Sequence, residues 1–579
     1  MPLVFFTSHN KQILVPEGML LLKAARQAGI FIESPCNREG TCGKCKVLLH
    51  QGYLAGVHHD RGGHTLTAAD EQAGYVLSCQ VSVHGDVRVE VPETRQPSAR
   101  DPETRQPMLM IVADGKCRIV ELDPLIKKKF DPRSATTTVT AEGHLMETDI
   151  GDTTANLYGV AVDIGTTTLV VALIDLNTGE TLGSDAALNP QALHAQDVLS
   201  RIKLGSADEG LTLLHKELLQ ELNRMIGVLA ASVKINRSTI YEAILCGNTT
   251  MLTLAAGISP SALGKFPYRV EMTTASAVSS TTLGLQIAEH GQVWFPPVAS
   301  AYVGADITAG IMASDLLRLK GVTLFVDIGT NGEMVLAENG KITATSTAAG
   351  PAFEGMNISS GMRAVAGAIE KVSLSNGAVA IHTISGTRPL GLCGSGLLDA
   401  VAELAREAII DRNGRYVKPG SELFAMWQGN LEVEQGRTSF RLAENVILTQ
   451  QDIRQVQLAK AAVRAGIDMM LLTCLLNPED VDRVFIAGSF GAHLQVSSLI
   501  TLGLLPESFT DRVEFVGNTS QSGAAAFLLN REIRSDAASM VAGMTVLELS
   551  REPEFEKIFI KALAFPQLAK HQKVDLYGV

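Results

Sequence analysis

One pentapeptide occurs twice in this chain. Val162-Asp163-Ile164-Gly165-Thr166 returns as Val326-Asp327-Ile328-Gly329-Thr330, 164 residues later. Each copy ends an apolar strand and leads into a second one, Leu169 to Ile174 and Glu333 to Ala337, so each reads as a strand-turn-strand hairpin. Two equivalent hairpins imply two related halves. In such a turn, backbone N–H groups and a hydroxyl form an anion-binding concavity for phosphates, which nominates Gly165, Thr166 and Thr167 in the first copy and Gly329, Thr330, Asn331 and Gly332 in the second. Asp163 and Asp327 stand at the strand ends, where they face the same gap and can hold Mg²⁺ through water, as phosphoryl chemistry requires to neutralise developing charge. They are the candidate catalytic residues. Two further glycine turns follow strands: Arg483 to Ala487 runs into Gly488-Ser489-Phe490-Gly491, and Ala243 to Leu245 into Cys246-Gly247-Asn248-Thr249-Thr250. No Gly-Lys is followed by Ser or Thr, and the nearest approach to GxGxxG, Gly394-Ser395-Gly396-Leu397-Leu398-Asp399, lacks its third glycine, so P-loop and dinucleotide-fold readings lose support. From Gly159 onward strand-like and helix-like segments alternate, which argues an α/β core.

The first ninety residues follow different rules. Leu3 to Phe6 and Gln12 to Val15 read as strands around a polar turn, Met19 to Ala28 as an amphipathic helix closed by Gly29, and Cys45 to Leu49 and Val87 to Val91 as further strands. Strand, turn, strand, helix is a β-grasp opening. Four of the eight cysteines lie here, as Cys36-x5-Cys42-x2-Cys45 followed by Cys79. Three thiolates on one loop plus one from a distance is the arrangement of a 2Fe-2S site, with one residue more in the first gap than the plant-type spacing. A four-cysteine zinc site is the alternative; zinc usually takes two short-spaced pairs, and only Cys42 and Cys45 form one. The wider gap and the β-grasp opening resemble the adrenodoxin-like branch of 2Fe-2S ferredoxins over residues 1 to 92. His58 to His64 reads as a solvated loop. Cys117, Cys246, Cys393 and Cys474 are scattered and read as buried, inert thiols.

Between the two regions Pro-Glu-Thr-Arg-Gln-Pro occurs at Pro92 and again at Pro102, without apolar periodicity, and predicts a semi-rigid tether over 93–108. Residues 109–158 carry two strand-like runs, Leu109 to Val112 and Arg118 to Leu122, and no assignable role. The organisation expected is therefore a cluster domain over 1–92, a tether, a middle segment, and a two-lobed nucleotide-binding domain over 159–579. A chain of 579 residues has length for roughly four domain-sized units. With 49 basic against 61 acidic residues its net charge of −12 disfavours a nucleic-acid binder. No run of about 18 apolar residues is present, and Met1 to Phe6 turns polar too early for a signal peptide, so a cytoplasmic protein without membrane contact is expected.

The set of turns resembles the acetate kinase, sugar kinase, Hsp70 and actin superfamily, with phosphate 1 at Asp163 to Thr167, phosphate 2 at Asp327 to Gly332 and the adenosine motif at Ala487 to Gly491. That resemblance implies ATP bound with Mg²⁺ in a cleft between two lobes. Val326 to Glu333, Ser346 to Gly355, Gly391 to Gly396 (hence Gly394, Ser395 and Gly396) and Leu448 to Arg454 together resemble the reductive activators of corrinoid proteins, over most of 159–565. Members use ATP to drive an electron from an iron–sulfur cluster onto accidentally oxidised Co(II) of a corrinoid methyl carrier, restoring Co(I). The implied partners are that carrier protein, an electron-donating reductase or ferredoxin, and a second copy in a homodimer. The stretch ahead of Gly159 is short for the family's separate middle domain. The chain lacks Asp-x-His-x-x-Gly, the motif of cobalamin carriers, so it is expected to dock a corrinoid protein and not to carry the corrinoid. Two alternatives use the same residues differently: a small-molecule kinase regulated by a redox-sensing cluster, with Asp306 or Glu333 as base, and a non-catalytic nucleotide-binding scaffold.

Overall fold

The computed structural model describes residues 1–567 other than 10, 29, 31, 33–44, 57–65, 67–69, 71, 92–107, 114–115, 196, 273–274, 356, 435 and 489–493. Cys36, Cys42, the His58–His64 loop, nearly all of the tether and Gly491 thus lie outside the described residues. The chain divides into two compact units, Met1–Gly115 and Lys116–Val579.

In the first unit, β1 (Leu3–Phe6), β2 (Lys11–Leu14), β3 (Lys46–Gln51), β4 (Tyr75–Leu77) and β5 (Val87–Glu90) form a mixed sheet in the order β2-β1-β5-β3-β4 beside helix α1 (Leu21–Gln27). Strand β1 runs antiparallel to β2 and parallel to β5. Alternation selects the inner face: Val87 and Val89 are buried while Arg88 between them is exposed. They pack with Val4, Phe6 and Val47 on Leu21, Leu22, Ala24 and Ala25 of α1. The helix starts later than its apolar pattern predicts. Met19 and Leu20 instead pair antiparallel with Val83 and Ser82, a tertiary pairing that overrides local helix propensity.

The second unit opens with strands, of which β6 (Ile126–Asp131), β7 (Thr136–Ala141) and β8 (His144–Ile150) form an antiparallel meander. Its Lys128 is 1% exposed, pairs with Asp149 at 2.8 Å and lies 4.6 Å from the centre of the Tyr241 ring. Glu121 O accepts from Asn530 Nδ2 at 2.9 Å, and Asp123 pairs with Arg531 at 2.8 Å. The segment that sequence left unassigned is thereby fastened to the body that follows it.

That body carries the duplication. Strands β9 (Tyr158–Ile164), β10 (Thr168–Asp175), β11 (Thr181–Leu188), β12 (Ile240–Gly247), β13 (Ser276–Ser279) and β14 (Gln292–Phe295) make one sheet, ordered β11-β10-β9-β12-β14-β13. Strands β15 (Val322–Ile328), β16 (Gly332–Glu338), β17 (Lys341–Thr347), β18 (Arg483–Ala487), β19 (Val513–Gly517) and β20 (Thr545–Val546) make the other, ordered β19-β18-β15-β16-β17-β20. In both, the first strand is antiparallel to the second, the second to the third, and the first parallel to the fourth. Helices cover the sheets: α2 (Val198–Gly205), α3 (Asp208–Ser232), α4 (Thr249–Ala255) and α5 (Ala305–Ala313) in the first half, then α6 (Gly394–Arg406) and α7 (Gln450–Thr473) in the second. Helix α3 buries Leu214, Leu218, Leu222, Met225, Ile226 and Leu229 at three- and four-residue spacing against the first sheet. Each such burial is worth about 1.5–3 kcal/mol, so Leu222→Ala would cost about 2–5 kcal/mol.

Two late helices, α8 (Thr519–Leu529) and α9 (Glu532–Gly543), leave the second sheet and cross back. Helix α8 packs on β9, β12 and α5 of the first half. Arg534 of α9 forks onto fully buried Glu242 of β12 through two 2.9 Å bonds, with its guanidinium 4.9 Å from the centre of the Trp294 ring. The fold is mixed α/β, a β-grasp unit followed by a two-lobed body with duplicated hairpins.

Candidate functional site

The two hairpin turns face one cavity of about 410 Å³. Pairing of Ile164 with Leu169 leaves residues 165–168 as the first turn, closed by Gly165 N–H donating to Thr168 O at 3.0 Å. Pairing of Ile328 with Gly332 leaves 329–331 as the second, closed by Gly329 N–H to Asn331 O at 2.9 Å. Gly165, Thr166, Thr167, Gly329, Thr330, Asn331, Gly394, Ser395 and Gly488 all line the cavity. Gly332 is set back within β16, paired with Thr347 of β17. Gly396 is also set back, where a Cβ would meet Ile369 O at 2.0 Å, so its role is to seat α6 closely on the strand Ala368–Ser375. Gly488 has φ +113°, and a Cβ there would lie 2.6 Å from Ile328 O; only glycine lets β18 end this close to the second hairpin.

Six carboxyl residues line the cavity, Asp163, Asp306, Asp327, Glu333, Glu354 and Glu370, and the first four are linked through their charges. Burial is the largest influence on the titration of these four, and hydrogen bonds and neighbouring charges modify it. Asp163 accepts from Asn518 Nδ2 and Ser520 Oγ, both at 2.8 Å, which opposes the upward push of burial. Asp306, in the first turn of α5, is pushed up to about 7 by burial and by the Asp163 charge, against a bond from Ile307 N–H at 2.9 Å. Asp327 is pushed up to about 8 by burial and the charges of Asp306 and Asp163. Glu333 is raised well above its usual range by burial and the charges of Asp306 and Asp327, with Ser346 Oγ donating at 3.4 Å. Among the described residues no three of these groups close on a point as direct metal ligands. Asp306 and Glu333, weighed in the sequence only as bases of a kinase, belong to the same wall as the hairpin aspartates.

Asn518, Ser520, Asn248 and Glu354 complete the site and were not among the residues singled out for it. A second short repeat could have found the first three. Gly247-Asn248-Thr249-Thr250 and Gly517-Asn518-Thr519-Ser520 each follow a strand and open a helix. Both asparagines cap, accepting at 3.0 Å from Met251 N–H and Gln521 N–H, and both turn Nδ2 toward the first hairpin: Asn248 to Thr166 Oγ1 at 3.0 Å, Asn518 to Asp163. Glu354 accepts from Thr330 Oγ1 at 2.5 Å. The Leu448–Arg454 stretch proves to be a helix start: Thr449 and Asp452 form a capping box on α7, and Asp452 also accepts from Ser359 N–H at 2.8 Å. It stands behind the site.

In the first unit, Cys45 and Cys79 are buried with their sulfurs 3.2 Å apart, too far for the ~2.05 Å of a disulfide and near the ~3.8 Å expected of two thiolates sharing one tetrahedral metal. Gln80 Nε2 donates to Cys79 Sγ at 3.7 Å, a contact of the kind that tunes cluster potentials. The pair fits half of a four-thiolate iron–sulfur site.

Comparison with known proteins agrees with this geometry. A 2Fe-2S iron–sulfur cluster binding domain matches residues 5–84, a RACo middle region matches 158–319, and the C-terminal ASKHA domain of RACo matches 321–575. The corrinoid activation enzyme RamQ of Eubacterium limosum is 34% identical over 419 residues, covering 71% of this chain and 70% of its own. The chain belongs to the reductive activators of corrinoid proteins. The solved structure of a reductive activator for a corrinoid, iron–sulfur protein is 31% identical and superposes with a TM-score of 0.73 over 98% of both chains. A reductase of the Co(II) methylated amine-specific corrinoid protein from Methanosarcina barkeri is 24% identical over 463 residues, covering 73% of this chain and 81% of its own. In this activator the family's middle region is the first lobe itself and not the shorter stretch ahead of Gly159. The N-terminal domain carries the 2Fe-2S signature. No helix among the described residues of the activator is long and apolar enough to cross a membrane.

Proposed function

We propose that this chain uses ATP to deliver one electron to Co(II) of a corrinoid methyl-carrier protein, regenerating Co(I) for a methyltransferase system. The observation that carries the ATP half is the pair of equivalent hairpins facing one cavity with Asp163, Asp306, Asp327 and Glu333. The turns offer N–H groups and hydroxyls to the phosphates. Asp163 and Asp327 orient Mg²⁺-bound water, Asn518 and Ser520 hold Asp163, and Gly488 borders the adenosine end. Because α8 belongs to the first lobe in space and to the second in sequence, closure of the lobes on nucleotide is felt at Asp163 through Asn518 and Ser520.

Cys36, Cys42, Cys45 and Cys79 hold the 2Fe-2S cluster, which supplies the single electron. Plant-type clusters lie near about −400 mV, and each further 100 mV uphill costs about 2.3 kcal/mol per electron. Nucleotide contributes if its binding or hydrolysis favours a complex in which the partner's cobalt is more easily reduced, since a ligand shifts an equilibrium only by its differential affinity. We assign residues 1–92 to the cluster domain, 93–108 to a tether, 109–158 to a middle segment and 159–579 to the ATPase. A reductase or ferredoxin recharges the cluster, the protein works in the cytoplasm, and two copies form a homodimer.

The test is to mix the whole protein with its corrinoid partner, a low-potential reductant and Mg-ATP, and to follow conversion of the Co(II) absorption to that of Co(I). ADP, or protein lacking residues 1–92, should give no conversion, while the truncated protein keeps its ATPase. Equal conversion at an equal rate without nucleotide would refute the coupling and leave the kinase reading ahead.

A further inference from the structure

Arg201 of α2 is 0% exposed. Its Nε donates to Ala195 O at 3.0 Å, one Nη to Gln191 Oε1 at 3.2 Å with Met251 Sδ at 3.0 Å, and the other Nη to Thr166 O at 2.6 Å. Every one of these acceptors is neutral. Among the described residues no carboxylate forms an ion pair with it, and Asp197, which caps α2, acts on it only from farther away. Burial lowers its pKa to about 10, so it stays charged at neutral pH. A buried cation without a counter-ion is costly and needs a reason.

The duplication supplies an internal control. Thr330 is the counterpart of Thr166, and its carbonyl accepts from Gly350 N–H at 2.9 Å. A neutral backbone donor is therefore sufficient to satisfy that carbonyl. In the first hairpin the same position receives a full positive charge, set behind a turn whose other face, Gly165 to Thr168, lines the nucleotide cavity. The Thr166 carbonyl and the Thr167 N–H belong to one peptide group. A guanidinium on its oxygen polarises that peptide and strengthens its N–H as a donor.

We infer that Arg201 is a positioning residue for the polyphosphate of the nucleotide: it fixes the first hairpin from behind and lends it the positive charge that selects a phosphate chain over the nucleoside alone. This rests on the ATP reading of the cavity. The phosphate provides the missing counter-charge, and the carboxyl groups of Asp163, Asp306, Asp327 and Glu333 are left to Mg²⁺.

The experiment measures the affinities of the full-length protein for Mg-ATP and for adenosine by titration calorimetry, with thermal unfolding as the control for folding. Arg201→Gln keeps hydrogen-bonding capacity and removes the charge; Mg-ATP should bind about tenfold more weakly while adenosine changes less than about twofold. Arg201→Lys keeps the charge without the fork, and its ATP-to-adenosine ratio should stay within about threefold of the parent's. An unchanged ratio in Arg201→Gln overturns the inference. Should that variant not fold, Arg201→Lys decides alone, and a tenfold fall in its ratio overturns it. Failure of the parent protein to bind Mg-ATP would instead sink the nucleotide reading on which the inference stands.

Discussion

Replacing Asp163 by Asn changes the charge of the site while leaving its shape. The carboxylate accepts from Asn518 Nδ2 and Ser520 Oγ at 2.8 Å each, one donor to each oxygen. An asparagine presents a single oxygen, which keeps the bond from Asn518 Nδ2, while its NH₂ donates to Ser520 Oγ, so both bonds survive but fall from the about 1.5–3 kcal/mol of a charged acceptor to the about 0.5–1.5 kcal/mol of neutral partners. Against this, one of four mutually repelling, buried acids disappears, and the Asp163 charge is among the causes that raise Asp306 and Asp327. The two effects oppose one another, so thermal unfolding of the nucleotide-free protein should move by only a few degrees. Turnover should not be spared. If the carboxylate orients Mg²⁺ or the attacking water, hydrolysis falls by about 10²-fold or more, equivalent to about 2.7 kcal/mol of transition-state stabilisation. The assay is steady-state phosphate release at saturating Mg-ATP, beside a melting curve on the same preparation. Hydrolysis at the parental rate in both Asp163→Asn and Asp327→Asn would refute the reasoning and reduce the duplicated hairpin to a structural repeat.

Protein purified anaerobically should be red-brown with about two irons per chain, and Cys79→Ser should disturb that absorption while Cys117→Ser leaves it intact; zinc, or about four irons, would defeat the assignment. Mg-nucleotide affinity should rise between about pH 6 and 8 with net proton release, because Asp306 and Asp327, raised to about 7 and 8, must ionise to serve the cation; calorimetry in buffers of different ionisation enthalpy reads this, and proton uptake would contradict it. The same two acids keep protons in the folded state that the unfolded chain releases near its ordinary 3.8, so their contribution to nucleotide-free stability is present below about pH 4 and lost by about pH 8, a decline that melts across this range should show and Mg-nucleotide should blunt. Glu242→Gln leaves Arg534 buried beside Trp294 without its counter-charge and should destabilise the two-lobed body by about 3–5 kcal/mol in denaturant unfolding.

Much of this protein was legible in local sequence because its chemistry sits in short, repeated or closely spaced segments. The Val-Asp-Ile-Gly-Thr copies announced two related sheets with an equivalent hairpin in each, and the strand orders around β9 and β15 repeat as that duplication requires. The Cys36-x5-Cys42-x2-Cys45 spacing with Cys79 pointed to a 2Fe-2S domain, and a 2Fe-2S cluster binding domain matches residues 5–84, because such a signature is set over a few residues. Tertiary structure decided what distance in the chain concealed. Asn518 and Ser520 reach Asp163 across some 355 residues because α8 leaves its own sheet and packs on the other lobe. Arg201 carries no motif; its meaning comes from burial behind Thr166, a property of packing that no periodicity encodes. Asp306 and Glu333 read in sequence as candidate bases of a kinase, each set against an ordinary hairpin or helix-start acid. Their raised titration exists only where folding removes water and sets like charges face to face, because desolvation and repulsion act through space and not along the chain.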